Sequence, residues 1–553
     1  MRLDGFVPWP EDAAERYRRE GYWRGETLGG LLRTWAADYG DRTAVSADGV
    51  TMTYAELDAA ADRLAFGLRR LGIARGDRIV VHLPNVVEFV PISFALWRLG
   101  ALPIYALPGH REAEIAYFAA HSEAVAYLAC ESFGGFDHKS LADAAREAAP
   151  SLRHGLFLGD GGDANLRELM SARVDPDEAR AAADADPPAP SDVALFLLSG
   201  GTTGLPKLIA RTHDDYAYNF RAGAELCGLS PETVYLAVLP AAHNFPLGCP
   251  GMLGTFSVGG RVVLSSSPKA EDAFAVIEAE GVTITALVPT LVIRWLESLE
   301  RQRFDAGSLR VLQVGGARLN PEVARRVGPE LGCTLQQVFG MGEGLLNYTR
   351  LDDPEEVVVG TQGRPMSPAD EVLVVDTDGR PVPEGQPGEL LTRGPYTIRG
   401  YYRAEEHNAR AFTPDGFYRT GDVVRADPAG NLIVEGRMKD LINRGGEKIS
   451  AEEIENLLLG HPSVSNAAAV AMPDPVLGEK VCAYVALRPD AAPLTVESLR
   501  EYLAGRGIAR YKWPERVETV DALPVTKVGK VDKKALRDDI AGKLQIEGSG
   551  AAR

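Results

Sequence analysis

LSGGTTGLPK, residues 198–207, follows directly on the apolar run Val193 to Leu198 and ends in a lysine. A loop of this kind can wrap phosphate. Gly200, Gly201 and Gly204 let backbone N–H groups approach an anion, the hydroxyls of Ser199, Thr202 and Thr203 donate, and Lys207 adds a positive charge. A Walker A loop requires Gly-Lys-Ser/Thr together, and here Leu205 and Pro206 separate Gly204 from Lys207, so the P-loop reading fails. No GxSxG nucleophile elbow and no helix-opening GxGxxG occurs, which leaves serine hydrolase and dinucleotide-dependent dehydrogenase poorly supported. Alone, the loop leaves an ordinary Gly/Thr turn as the lesser alternative, about one chance in three, so its neighbours have to decide.

On either side lie apolar runs that read as buried strands: Arg78 to Leu83, Val193 to Leu198, Arg261 to Leu264, Ile284 to Val288 and Val311 to Val314. They alternate with stretches of helical spacing such as Tyr54 to Leu71 and Glu271 to Glu280, the pattern of α/β layers with largely parallel sheets. Ala181 to Pro190 (AAADADPPAP) reads as a surface linker. From about Glu371 the strands become shorter, alternating and punctuated by Gly and Pro, which predicts an antiparallel β subdomain. After a break near Gly436 to Lys439, Ile449 to Leu459, Lys480 to Leu487 and Val496 to Leu503 predict a compact α+β unit, and residues 542–553 read as a disordered tail.

The 553 residues, 45% hydrophobic and 25% charged, suffice for about three or four domains or subdomains with their own cores. With 59 Lys+Arg against 77 Asp+Glu the net charge is −18, and no basic run concentrates positive charge, so nucleic acid is not an expected partner. Cys130, Cys227, Cys249, Cys333 and Cys482 are scattered, without a CxxC pair, and read as reduced cytosolic thiols. The charged N-terminal stretch has no signal-peptide core, and the most apolar window, Gly281 to Ile293, is short of the roughly 20 residues a membrane helix needs. A cytoplasmic protein without membrane contact, monomeric or homodimeric, is expected.

Six segments in order carry a resemblance: LSGGTTGLPK at 198–207, QVFGMGEG at 337–344, GELLTRGPYTIRGYY at 388–402, YRTGD at 418–422, GRMKDLINRGGEKI at 436–449 and LPVTKVGK at 523–530. The sequence resembles the adenylate-forming superfamily of acyl- and aryl-CoA ligases, luciferases and adenylation domains. That resemblance implies a large N-terminal domain of two layered α/β subdomains plus a β subdomain (1–437), hinged at Lys439 to a small mobile α+β domain (438–541). It also implies two steps, in which a carboxylate and ATP give an acyl-adenylate and pyrophosphate, and a thiol then displaces AMP.

By the same resemblance Lys530, with Lys207, Thr202 and Thr203, is catalytic, and Glu343 holds Mg²⁺, which prefers hard oxygen ligands. The ATP or AMP site takes in Ser199, the loop glycines, Gly315, Gly316 and Ala317 as a flat adenine wall, Gln337, Val338, Phe339 and Gly340 opposite it, and Val434. Asp422 is the ribose carboxylate, with Arg437 assisting. Lys530 bridges the attacking carboxylate and the α-phosphate, where charge builds during attack. After rotation of the small domain, Arg444 to Lys448 supply a glycine-rich face toward the thiol channel.

AHNFPLGCPG at 242–251 and MGEGLLNYTRLDD at 341–353 are most similar to the freestanding aryl-acid adenylating enzymes of siderophore-type nonribosomal peptide biosynthesis, which activate salicylate or 2,3-dihydroxybenzoate. The implied acid pocket comprises His243, Asn244, Phe245, Cys249, Gly316, Gly340, Leu346 and Lys530. Asn244 stands where amino-acid-activating members carry an aspartate; it cannot balance an ammonium but can bond a phenolic 2-hydroxyl. Dihydroxybenzoate members usually carry Ser and Val where this chain has Cys249 and Leu346. A 3-hydroxyl against a thiol would be left nearly unsatisfied, at roughly 1–3 kcal/mol, so salicylate is the expected acid, with dihydroxybenzoate the alternative. Gly248 is read as space for a ring substituent, and His243 as a pocket-shaping residue. No carrier or condensation signature occurs, so the acceptor comes in trans: the phosphopantetheine thiol of an aryl carrier protein, with coenzyme A the runner-up. Carrier proteins are usually acidic, so at net charge −18 docking would use a local patch.

Overall fold

The structure, a computed structural model, describes residues 3–199, 206–302, 304–444, 447–506, 510–526 and 529–550. Among the described residues, a seven-stranded sheet runs in the order Leu208–Thr212, Val193–Leu198, Leu102–Tyr105, Arg78–His82, Ala126–Ala129, His154–Phe157, Ala164–Asn165. All its neighbours are parallel except the first pair, a hairpin. A nine-stranded sheet is parallel from Thr334–Met341 through Val311–Gly315, Ile284–Leu287, Val234–Ala237 and Arg261–Leu264 to Thr43–Ala47, with antiparallel strands added at both ends. The apolar runs sit where both faces of a sheet are covered, which is why they show no alternation.

One continuous apolar core joins the two sheets. Ile79 and Leu195 come from the first, Val262 and Ile284 from the second, and Leu64, Phe94, Phe220 and Phe256 from helices that pack on both. Helix Tyr54–Arg70 starts where Thr53 and Glu56 form a reciprocal capping box, satisfying N–H groups the first turn leaves open. The change of texture at Glu371 marks a four-stranded antiparallel sheet, Glu371–Val375, Gly388–Arg393, Tyr418–Ala426 and Leu432–Arg437.

The small domain is a sheet of Leu441–Arg444, Glu447–Ser450, Val464–Asp474, Gly478–Leu487 and Arg516–Thr519. Helices Ala451–Leu459 and Val496–Gly505 bury Ile454, Leu458, Leu499 and Leu503 in one core, and helix Lys533–Gly550 buries Leu536 and Ile540 in another. It rests on the large domain through Asn320 Nδ2, 3.2 Å from Asn456 Oδ1, and through Thr290 Oγ1, which donates to the Gly529 carbonyl at 3.0 Å.

Two expectations need correction. Residues 181–183 of the expected linker close helix Pro176–Ala183. Asp175 caps it, and ion pairs from Arg180 to Asp58 and from Asp184 to Arg33, both 2.8 Å, fasten it to the domain. The expected tail continues the last helix to Gly550, because Leu544 packs on the core beneath and Lys543 and Glu547 pair with Glu518 and Arg516. No helix among the described residues is long and apolar enough to cross a membrane.

Candidate active site

The expected phosphate loop closes a β-hairpin, since Leu198 and Leu208 are antiparallel partners. At its neck the Ser199 N–H donates to the Lys207 carbonyl at 3.0 Å, and the Lys207 N–H donates to Ser199 Oγ at 2.9 Å. Gly200, Gly201, Thr202, Thr203 and Gly204 lie outside the described residues. Lys207 Nζ stands 5.8 Å from the centre of the Tyr401 ring. Tyr401 donates its hydroxyl proton to Glu343 Oε1 at 2.6 Å and lies 2.8 Å from the Tyr418 hydroxyl. Loop lysine and buried carboxylate are therefore joined across one tyrosine, and Tyr418 opens the strand that carries Asp422. Glu343 supplies one hard oxygen donor group, and no cluster of three or more His, Cys, Asp or Glu occurs among the described residues. That set fits Mg²⁺, which usually takes one or two carboxylates and fills its shell with phosphate oxygens and water.

Asp422 is buried opposite Arg437, whose Nε is 2.8 Å from Oδ1; this carboxylate raises the pKa of the guanidinium. On the neighbouring sheet, strand Val311–Gly315 ends in glycines because little else fits. A Cβ on Gly315 would lie 2.8 Å from the Val338 carbonyl and 3.0 Å from the Phe245 ring. Gly316 has φ +85°, and a Cβ there would stand 3.1 Å from Cε of Lys530. The small domain thus delivers Lys530 to the glycine wall, on a turn in which Thr526 Oγ1 accepts the Lys530 N–H at 3.2 Å. Ala317 is exposed next to it.

Gln337 turns its side chain away from the glycines. Its side-chain amide donates to the Val358 carbonyl at 2.5 Å and accepts from Gln362 at 3.4 Å, so only its backbone is left to the wall. Gln362 in turn accepts from the Val434 N–H at 2.8 Å, and Arg318 donates to the Val434 carbonyl, tying the two sheets together. The Phe339 carbonyl accepts from Asn347, and the Leu346 side chain covers Gly340, where a Cβ would lie 2.3 Å from Leu346 Cδ2.

Of the expected acid-pocket residues, Gly316 and His243 lie near Lys530, while Asn244 with Cys249 and Gly340 with Leu346 form contacting pairs. His243 caps the short helix Asn244–Gly248, its Nδ1 accepting the Phe245 N–H at 3.2 Å. Burial and the Lys530 charge push its imidazole down to about 4, so it is neutral and shapes the pocket. Asn244 Oδ1 accepts the Tyr216 hydroxyl at 2.8 Å, and Nδ2 donates to Cys249 Sγ at 3.3 Å. Burial pushes the Cys249 thiol up to about 12, which removes any nucleophilic role. The space at Gly248 is already taken: a Cβ there would lie 2.6 Å from the Tyr216 hydroxyl, so the reading of Gly248 as room for a ring substituent is corrected.

Tyr401 and Tyr418 stand inside segments quoted above, yet nothing in the letters singled them out. Tyr216 gave no signal. Asn85 gave none either; it donates to the Ala237, Leu239 and Ser265 carbonyls and accepts the Ala241 N–H, fixing the turn into His243. A cavity of about 580 Å³ opens between Pro240, Thr290 and Arg294 of the large domain and Asn466, Thr526 and Gly529 of the small one. Lys439 lies in the turn Met438–Asp440 with its side chain undescribed, and Gly445 and Gly446 fall outside the described residues, as do the side chains of Glu447 and Lys448.

The profile of the AMP-binding enzyme family matches residues 32–402, and that of the AMP-binding enzyme C-terminal domain matches residues 453–530. The chain belongs to the AMP-binding enzyme family. This AMP-binding enzyme is 57% identical to the salicylyl-CoA synthase / salicylate adenylyltransferase of a Streptomyces species, over 98% of this chain and 99% of the relative. It is 55% identical to the 2,3-dihydroxybenzoate-AMP ligase of Bacillus subtilis (strain 168), with the same coverage. Among solved structures, the apo structure of Mycobacterium smegmatis MbtA aligns with a TM-score of 0.75 at 48% identity, covering 97% of this chain and 99% of that one. The large and small domains of the fold are those of AMP-binding enzymes.

Proposed function

We propose that the protein is a salicylate–AMP ligase. Salicylate, bound between Asn244, Cys249 and Leu346, attacks the α-phosphorus of ATP through a carboxylate oxygen. The bond from oxygen to α-phosphorus forms as the bond to the β-phosphate oxygen breaks, giving salicyl-AMP and pyrophosphate. Lys530 and Lys207 stabilise the charge that builds on the phosphate oxygens, and Asp422 with Arg437 holds the ribose. Mg²⁺, when bound, neutralises phosphate charge, and Glu343 is the residue that would hold it. In the second half a thiol attacks the acyl carbon; the C–S bond forms, the bond to AMP breaks and the thiol proton is released. The acceptor is the phosphopantetheine thiol of an aryl carrier protein, reached when the small domain, with its boundary at 437/438, rotates about Lys439.

The observation that carries this reading is the delivery of Lys530 to Gly316, next to Gly315, which packs on Phe245 of the segment that also holds Asn244 and Cys249. The likeness to a salicylate adenylyltransferase supports the choice of acid. That relative's name also favours coenzyme A as a second acceptor. The test is ATP–pyrophosphate exchange with salicylate, 2,3-dihydroxybenzoate, benzoate and amino acids, followed by product analysis with each thiol. Salicylate should lead by tenfold or more, and a lead for dihydroxybenzoate would end the Cys249/Leu346 reading.

A further inference from the structure

The turn that bears both Glu343 and the pocket residue Leu346 is not self-supporting. Gly344 has φ +136°, and Leu345, fully buried, sits at φ +39°, a left-handed conformation that a bulky side chain adopts only when its surroundings impose it. What imposes it is the segment 394–398, which is remote in sequence. The Ile398 N–H donates to the Glu343 carbonyl at 2.8 Å, and Gly344 lies so close to Thr397 that a Cβ would stand 2.4 Å from its Cα. Between them Tyr396 is fully buried, and its hydroxyl accepts the Leu346 N–H at 3.0 Å.

That hydroxyl has a single proton, and it goes to Asp370 Oδ2 at 2.5 Å. Asp370 is fixed in turn: the same oxygen accepts the Ser367 N–H at 3.2 Å, and its own N–H donates to the Ser367 carbonyl at 3.1 Å. Ser367 Oγ accepts from the Tyr218 hydroxyl at 2.6 Å. The next residue inward, Met366, donates its N–H to the Leu346 carbonyl at 2.8 Å. Leu346 is therefore gripped at both backbone polar groups, at one by the Tyr396–Asp370 pair and at the other by the adjoining strand. Its side chain is held over Gly340, the position that the proposed function makes one wall of the acid pocket.

We propose that Tyr396, oriented by Asp370, is a positioning residue for acid recognition: it sets the position of Leu346 without touching the substrate. The proposal rests on the reading of Leu346 as a pocket wall. Loss of the hydroxyl leaves the Leu346 N–H buried and unpaired, and the strand shifts to find a partner, carrying the wall with it. Glu343, on the same turn, is tied separately by the Ile398 N–H at its carbonyl, whereas the Tyr396 hydroxyl bonds Leu346, so the effect falls first on the acid.

The experiment is ATP–pyrophosphate exchange on the full chain, with KM for the acid and for ATP measured separately, using whichever acid the wild-type enzyme exchanges fastest. Tyr396→Phe should raise the acid KM about tenfold while the ATP KM stays within about twofold and kcat within about threefold. Asp370→Asn keeps an oxygen to accept the tyrosine proton and should stay within about threefold of wild type, whereas Asp370→Ala should match Tyr396→Phe. An unchanged acid KM in Tyr396→Phe, equal rises in both KM values, or an Asp370→Asn as impaired as Asp370→Ala would overturn the proposal. If Tyr396→Phe does not fold, the two Asp370 variants decide alone. A wild-type enzyme that prefers a non-aromatic acid ends the salicylate reading and leaves the positioning test intact; exchange with no carboxylic acid at all would overturn both.

Discussion

Lys530 is held by the small domain, yet its Cε lies 3.1 Å from where a Cβ on Gly316 of the large domain would stand. Lys530→Ala should lower ATP–pyrophosphate exchange by about 10²–10³-fold, read with salicylate at saturation, with little change in thermal stability. Cys249→Ser replaces a weak partner with a good one for a 3-hydroxyl, about 1 kcal/mol, so the ratio of dihydroxybenzoate to salicylate exchange should rise about fivefold. Residues of this kind were legible because they stand in short words whose order is itself informative. Tyr216 and Tyr396 were not. Each acts on a residue far away in the chain, Asn244 and Leu346 respectively, and one letter among many tyrosines carries no trace of its partner. The same reason undid the reading of Gly248, whose free space exists in the sequence and is filled in the fold.

Elements were legible where an apolar run met sheet burial, and illegible where charge did the holding. Helix Pro176–Ala183 is rich in alanine and followed by prolines, and it is an element because Arg180 and Asp184 reach Asp58 and Arg33. Those partners belong to a buried network in which Arg98, almost fully enclosed, pairs with both Asp58 and Asp62, the latter at 2.7 Å. Removing Arg98 takes the innermost cation from two carboxylates and leaves them only the more exposed Arg33 and Arg180, at a cost of about 3 kcal/mol. Arg98→Ala should therefore lower the midpoint of thermal unfolding by several degrees, and Asp62→Asn by less, as followed by calorimetry. The last helix follows the same rule, since the ion pairs of Lys543 and Glu547 extend it beyond the point at which glycine and serine suggested a tail.

At the scale of the molecule the two-domain plan was read from the changes of texture at Glu371 and Gly436, but the contact between the domains was not. In that contact Glu452 Oε1 is buried without a hydrogen-bond partner among the described residues. Burial pushes the Glu452 carboxyl up to about 7, against the pull of Arg318 and Lys533 and with the push of Glu455 and Glu435. A carboxyl raised above its unfolded value binds more protons in the docked state. Its contribution is therefore fully present below about pH 4.5 and is lost as the pH rises through about 7. Glu452→Gln should abolish that decline: its melting temperature gains on wild type between pH 5 and pH 7 and runs parallel above pH 8. Identical pH profiles would mean that Glu452 keeps its ordinary titration.

The expected acid-pocket residues other than Lys530, from His243 to Leu346, all belong to the large domain, whereas Lys530 arrives from the small one beside Thr290. On the proposed function, choice of substrate and power of reaction are thus inherited on separate stretches of the chain. A recombination crossover between them exchanges one without disturbing the other, and a chimera should take its acid preference from whichever parent supplies residues 1–437.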